Sequence, residues 1–73
     1  MTKSEILKKA AQDEGYATVL DMLAHYTTEG SVPCYCTKCG QSVDDREPDV
    51  TEDECEDCGT NTVQSVLVIA GLI

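Results

Sequence analysis

Two Cys-x-x-Cys-Gly units constrain this chain more than any other feature. They occupy 36–40 and 55–59, and fifteen residues separate Cys39 from Cys55. Each unit is expected to form a tight turn that directs two sulfurs at one centre, with a glycine conformation that lets backbone amides approach the sulfurs. Four thiolates then complete the tetrahedron that zinc prefers. The spacing predicts one structural Zn²⁺ ion bound by four cysteines, which are Cys36, Cys39, Cys55 and Cys58.

Two other chemistries use the same cysteine pattern. Rubredoxins hold iron between two such turns, and thiolate ligands alone do not separate iron from zinc. Rubredoxin cores are rich in aromatic residues, however, whereas this chain has no Trp, no Phe and three Tyr. Disulfides require an oxidising compartment, and an odd count of five cysteines without an apolar signal segment favours a reducing, cytoplasmic setting. We therefore expect zinc, with an iron electron carrier as the alternative.

The length of the chain makes a metal important for folding. At 73 residues it forms one domain (1–73), in which a hydrophobic core alone is marginal. A structural zinc contributes about 10–16 kcal/mol in zinc-finger peptides, which exceeds the usual net stability of a domain. We expect the metal-free protein to be partly or wholly unfolded.

Helices are predicted in the amino-terminal part of the chain. Thr2 and Glu5 form a capping-box pattern at the start of a helix over 2–13, and Gly15 suits the position after its end. A second helix over 18–26 would start with Thr18 as its cap. These helices are predicted to form a hairpin (1–30) that packs on a zinc ribbon (31–73).

The ribbon segment contains shorter and more ambiguous patterns. A brief strand over 41–43 and a weak returning strand over 50–51 predict a small hairpin between the cysteine units. The segment 62–70 fits either a strand by composition or a helix by spacing, and an Asn61–Gln64 capping pattern favours the helix. The fold class is thus a small α+β zinc ribbon with rubredoxin-like knuckles. The apolar stretch 66–73 is too short to span a bilayer.

The charge of the chain restricts its partners. The net charge is −9, and four thiolates with one Zn²⁺ would bring it to about −11. Nucleic-acid affinity depends on Lys and Arg, of which there are five, so we expect no direct binding to nucleic acid, and a nucleic-acid-binding zinc ribbon is the alternative. Nine of the fourteen acidic residues lie in 44–57. They form either a solvated face or a phosphate-like surface that docks on a basic protein.

The remaining chemically reactive side chains have ordinary interpretations. Cys34 is interpreted as a free thiol near the site, with a spare ligand or redox sensor as the alternative. His25 is interpreted as a helix-surface residue, with a nitrogen ligand or a base as the alternative. No nucleophile and base occur at a recognisable spacing, and zinc with four protein ligands leaves no position for a reactive water. The sequence therefore predicts a protein that is not an enzyme.

The segments 55–65 and 70–73, together with Val32-Pro33, resemble small zinc-ribbon proteins of bacteriophage and bacterial genomes that have no assigned function. A looser similarity is to short acidic zinc-finger proteins of archaea. The resemblance implies the same four ligands, and Cys34 departs from its pattern. We expect a monomeric protein-interaction module without contact to a membrane. If the source is viral, the expected partner is a nucleic-acid or transcription protein in the host cytoplasm.

Overall fold

In the computed structural model, which describes residues 2–73, three helices pack on a four-stranded antiparallel sheet. The elements in chain order are α1 (Lys3–Asp13), α2 (Val19–Tyr26), β1 (Val32–Cys36), β2 (Ser42–Arg46), β3 (Asp53–Cys55), β4 (Thr60–Ser65) and α3 (Val66–Ile69). The predicted small α+β class is confirmed. Across this part of the chain, no helix has the length and apolar character needed to cross a membrane.

The first two helices begin at the predicted caps. The Thr2 hydroxyl accepts a hydrogen bond from the Glu5 amide at 3.1 Å, and the Glu5 carboxylate accepts one from the Thr2 amide at 3.3 Å. At the second helix, the Thr18 hydroxyl accepts from the Asp21 amide at 3.1 Å. Gly15 follows α1 with a φ of +81°, a conformation that glycine adopts readily. Local side-chain chemistry therefore sets the starts of both helices.

The sheet has the strand order β2-β1-β4-β3. In β1, Cys34 and Cys36 lie opposite Ser65 and Val63 of β4. On the other side of β1, Cys34 lies opposite Val43 of β2. All residues of β1 are buried because this strand is internal and is covered on both faces.

The predicted hairpin between the cysteine units is wrong. Strand β2 pairs with β1, and the returning strand is Asp53–Cys55 rather than 50–51 and pairs with β4. Each cysteine unit is itself the turn of a hairpin, so each strand that leads into a unit pairs with the strand that leaves it. The segment around Pro48 and Val50 instead turns over β4, where the carbonyls of both residues accept hydrogen bonds from Ser65.

The helix predicted for 62–70 is also largely wrong. The chain continues as strand β4 to Ser65, and only Val66–Ile69 is helical. The helix cap is Ser65, whose hydroxyl accepts from the Val68 amide at 3.1 Å, and not Asn61. Strand pairing on both sides of β4 and burial of Val63 override the helical spacing, because they satisfy backbone groups and remove apolar surface together.

Two apolar clusters lie on either side of β1. The larger joins the three helices to this strand, and its buried members are Ile6, Ala10, Ala11, Met22, Leu23, Val32, Tyr35, Val66, Leu67 and Ile69. The smaller consists of buried Cys34, Cys36, Cys55 and Val63, with Val43, Val50 and Cys58 packed against them. From Cys34 to Cys36 neighbouring residues point to opposite faces, so Tyr35 packs with the helices while the two cysteines pack in the smaller cluster. Val32 belongs to the larger cluster and lies beyond a register irregularity between Val32 and Cys34.

Candidate metal centre

The two Cys-x-x-Cys-Gly units form similar turns, which we call the first knuckle (36–40) and the second knuckle (55–59). The Gly40 amide donates to the Cys36 carbonyl at 2.8 Å, and the Gly59 amide donates to the Cys55 carbonyl at 2.7 Å. The φ angles of these glycines are +76° and +68°, in the left-handed region that a Cβ atom disfavours. The turn therefore favours glycine at the end of each unit.

Strand β4 brings the knuckles together. Cys36 ends β1 and lies opposite Val63, while Cys55 ends β3 and lies opposite Thr60. Both β1 and β3 pair antiparallel with β4, so they run in the same direction, and the first cysteine of each knuckle lies at the same end of the sheet. A cluster built from distant parts of the sequence thus depends on the strand that follows the second knuckle.

The four sulfurs of the knuckles lie at distances that fit a tetrahedral metal site. The Sγ atoms of Cys36 and Cys58 are 3.8 Å apart, and those of Cys39 and Cys55 are 3.9 Å apart. All four sulfurs lie within 4.8 Å of one another. A tetrahedron with zinc–sulfur bonds of about 2.3 Å has edges of about 3.8 Å. The cluster can therefore hold a metal ion, and both short sulfur pairs join one knuckle to the other.

Hydrogen bonds reach the sulfur of Cys36 from two directions. The Thr62 hydroxyl lies 3.0 Å from this sulfur, and the Cys39 amide donates to it at 3.5 Å. The Thr60 hydroxyl lies 2.9 Å from that of Thr62 and extends the network. Sequence reasoning did not identify Thr62. The sequence does place a threonine in the strand after the second knuckle. Its role as a partner of Cys36 can be inferred only when that strand is known to pair with β1.

The surroundings of the knuckle cysteines give their thiols different pKa values. Burial raises the pKa of Cys36, but the Thr62 hydroxyl and the amides of Cys39 and Lys38 outweigh it and lower the pKa to about 6. The pKa of Cys58 rises to about 12, because its thiol hydrogen-bonds to Cys39 and is also desolvated. In Cys55 the amide of Cys58 lowers the pKa, but burial and the nearby sulfurs raise it overall. The thiolate form is therefore favoured at Cys36 and disfavoured at Cys55 and Cys58.

Cys34 lies outside the group of four sulfurs. It is fully buried in the smaller apolar cluster, and its thiol contacts the Val32 carbonyl at 3.5 Å. Burial raises its pKa to about 11, so the side chain remains a neutral thiol at pH 7. The surroundings of Cys34 are those of a small apolar side chain.

His25 lies on the surface of α2 among aromatic and acidic residues. Its Nε2 is 3.3 Å from the Glu29 carboxylate, and its ring centroid is 4.9 Å from that of Tyr26 and 5.8 Å from that of Tyr16. The structure does not bring His25 together with the sulfur cluster.

The chain matches no protein-family model, and no curated protein and no solved structure is significantly similar to it. Its class therefore follows from fold and site alone: a small α+β protein with a four-cysteine cluster that can hold a metal ion. The cysteine cluster is consistent with the zinc-ribbon resemblance. A phage or bacterial source stays a prediction.

Proposed function

We propose that this protein is a zinc ribbon in which Cys36, Cys39, Cys55 and Cys58 bind one structural Zn²⁺ ion, and that it acts as a non-enzymatic protein-interaction module. One observation carries the metal assignment. Four thiol sulfurs from two separate turns lie within 4.8 Å of one another, with closest pairs at 3.8 and 3.9 Å.

The role of the metal is structural in this proposal. Four protein ligands complete the tetrahedral coordination of zinc, so no position remains for a substrate or a reactive water. The smaller apolar cluster consists largely of cysteines and valines, and it contains no aromatic residue. A bound metal would join the β1–β2 and β3–β4 hairpins where this cluster provides little apolar surface. The helices in 1–30 would then act as a hairpin that covers the opposite face of the sheet.

The interaction role rests on charge and on the sequence, in which no nucleophile and base occur at a recognisable spacing. The net charge of −9 disfavours nucleic acid as a direct partner and favours a protein with a basic surface. A basic surface is typical of proteins that themselves bind nucleic acid. A host transcription or nucleic-acid protein would fit if the source is viral.

Native mass spectrometry of protein purified from its own source tests this proposal. We expect a monomer with one zinc ion, together with a fraction bound to a specific protein. Removal of the metal with a chelator should abolish the folded charge-state distribution. A folded protein without metal would contradict the structural role, and a monomer that associates with no protein in its own source would contradict the interaction role.

A rubredoxin-like iron electron carrier is the second candidate. The observation that favours it is the exposure of Cys39, because a cluster with one ligand at the surface allows electron transfer to a docked partner. Colour separates the two candidates, since ferric iron bound by four thiolates is red and zinc is colourless. A red protein with stoichiometric iron from its own source would replace the zinc assignment.

A further inference from the structure

Both edge strands of the sheet border the same groove. In the strand order β2-β1-β4-β3, strands β2 and β3 are the outer strands, and within residues 2–73 neither pairs with a strand on its outer side. The groove has a volume near 220 Å³ and is lined by Ser42, Asp44 and Arg46 on the β2 side and by Glu54, Glu56 and Asp57 on the β3 side. Arg46 of β2 pairs with Asp53 of β3 at 2.9 Å, so an ion pair joins the two outer strands beside the groove.

The backbone of these strands provides the first requirement for a ligand. An edge strand presents N–H and C=O groups without partners, and an extended peptide can pair with them as an added strand. Here two such edges border one gap. An extended segment that enters the groove can pair along one of these edges once it displaces the Arg46–Asp53 ion pair.

The charges of the groove determine which segment fits. Arg46 is already paired, at 3.1 Å with Asp44 and at 2.9 Å with Asp53. The other ion pairs among residues 2–73 involve Asp13 and Glu29, so Glu54, Glu56 and Asp57 have no cationic partner there. Cys55 also lines the groove, and four thiolates with one Zn²⁺ would add a net charge of about −2 beside it.

A second copy of this chain is a poor occupant. Its own edge strands carry Asp44 and Asp45 in β2 and Asp53 and Glu54 in β3. Like charges on neighbouring strands repel, which is a common protection against association between edges. The occupant must instead bring positive charge.

We propose that the groove between β2 and β3 binds an extended, lysine- or arginine-rich segment of a partner protein by strand addition. This inference rests on the proposed interaction function and specifies the chemical class of its partner. Backbone pairing supplies the geometry, and the carboxylates of Glu54, Glu56 and Asp57 select cationic side chains.

Synthetic peptides of about six residues, the usual length of a strand, test the inference on the zinc-loaded full chain. The probe alternates lysine and valine. One control has the same sequence with N-methylated backbone amides, which keeps the charge but removes donors, and another alternates glutamate and valine. We expect the lysine peptide to shift the amide NMR signals of 41–46 and 53–57, the N-methylated peptide to bind about tenfold more weakly, and the glutamate peptide not to bind.

Two double variants that reverse charge test whether the peptide binds in the groove. The variant Glu54→Lys/Asp57→Lys reverses two charges in the groove. Lysine is compatible with position 57 because Lys38 occupies the corresponding position of the first knuckle. The matched control Glu29→Lys/Glu52→Lys makes the same change in net charge at exposed positions outside the groove. We expect the first to weaken lysine-peptide binding by about tenfold or more, and the control to change it by less than about twofold.

Three results would overturn the inference. These are equal weakening by both double variants, equal affinity for the N-methylated peptide, and NMR shifts that lie elsewhere on the protein. Zinc content is measured on the same samples. If the protein retains one zinc ion but does not bind the lysine peptide, only the proposed role of the groove is wrong. If the protein does not bind zinc, the proposed metal centre is wrong.

Discussion

The sulfur of Cys36 lies 3.0 Å from the hydroxyl oxygen of Thr62, so the strand after the second knuckle supports a sulfur of the first. This contact crosses from β4 to β1, which pair antiparallel. It places a hydroxyl beside the cysteine whose pKa is lowered to about 6. The candidate metal centre thus includes a contact between the two hairpins in addition to the four sulfurs.

Replacement of Thr62 by valine should weaken metal binding. Valine keeps the shape of the side chain but removes the hydroxyl that stabilises a thiolate at Cys36, and loss of such supporting hydrogen bonds typically costs about 10–100-fold in metal affinity. Competition with a chromophoric chelator measures the change. The control Thr51→Val alters an exposed threonine outside the network and should leave the affinity unchanged. Equal affinities for wild type and Thr62→Val would show that the hydroxyl does not support the metal ligand.

Serine substitutions of the two cysteines in β1 test which of them binds the metal. Cys36→Ser should lose stoichiometric zinc and most of its folded structure, because the sulfur cluster would retain only three thiols. Cys34→Ser should retain one zinc and lose about 1–3 kcal/mol of unfolding free energy, since it places a hydroxyl in a buried apolar site. Elemental analysis and chemical denaturation measure both effects. Loss of zinc from Cys34→Ser would overturn the proposed ligand assignment.

The parts of the fold that follow from local chemistry were predictable from the sequence. The capping residues Thr2 and Thr18 act within one turn of their helices, so their positions in the sequence are sufficient. The knuckle turns are also local, because the cysteine and glycine positions determine their geometry. The spacing therefore predicted a cluster of four sulfurs that the structure does bring together.

The pairing of strands was not predictable in the same way. Strand β3 has three residues, among them two acids, and becomes a strand only because β4 pairs with it. Ser65 and Asn61 both have cap-like side chains, and the choice between them depends on how far β4 continues beside β1. The role of Thr62 depends on the same pairing. These features require partners that are distant in sequence, which local patterns do not identify.

Alkaline pH should destabilise the zinc-loaded protein. Burial raises the pKa of Tyr35 above its ordinary value of 10, and the nearby charge of Asp13, which accepts the phenol hydrogen bond at 3.2 Å, adds to the effect. The unfolded chain therefore loses this proton first as the pH rises, so the stabilisation is complete below pH 10 and declines above it. Burial similarly raises the pKa of Tyr26.

Denaturation of Tyr35→Phe across this pH range checks the contribution of Tyr35. The variant should lose about 0.5–1.5 kcal/mol near pH 7, where it lacks the hydrogen bond to Asp13. Its stability should also fall less steeply than that of wild type above pH 10. Parallel curves for wild type and Tyr35→Phe would show that this phenol does not contribute to the pH dependence.

Gly59 should be sensitive to substitution because of its backbone conformation alone. Its φ is +68°, and a methyl group at this position would meet no atom within 4 Å beyond the two neighbouring residues. Gly59→Ala should therefore cost about 1–2 kcal/mol through left-handed strain, without a steric clash. Gly59→Asn should cost less, since asparagine tolerates this region better.

The control for this prediction is Gly30→Ala. Gly30 also has open space for a methyl group, but its φ is not in the left-handed range. Denaturant unfolding of the zinc-loaded variants measures these differences, and equal losses for the alanine substitutions at 30 and 59 would contradict the strain argument.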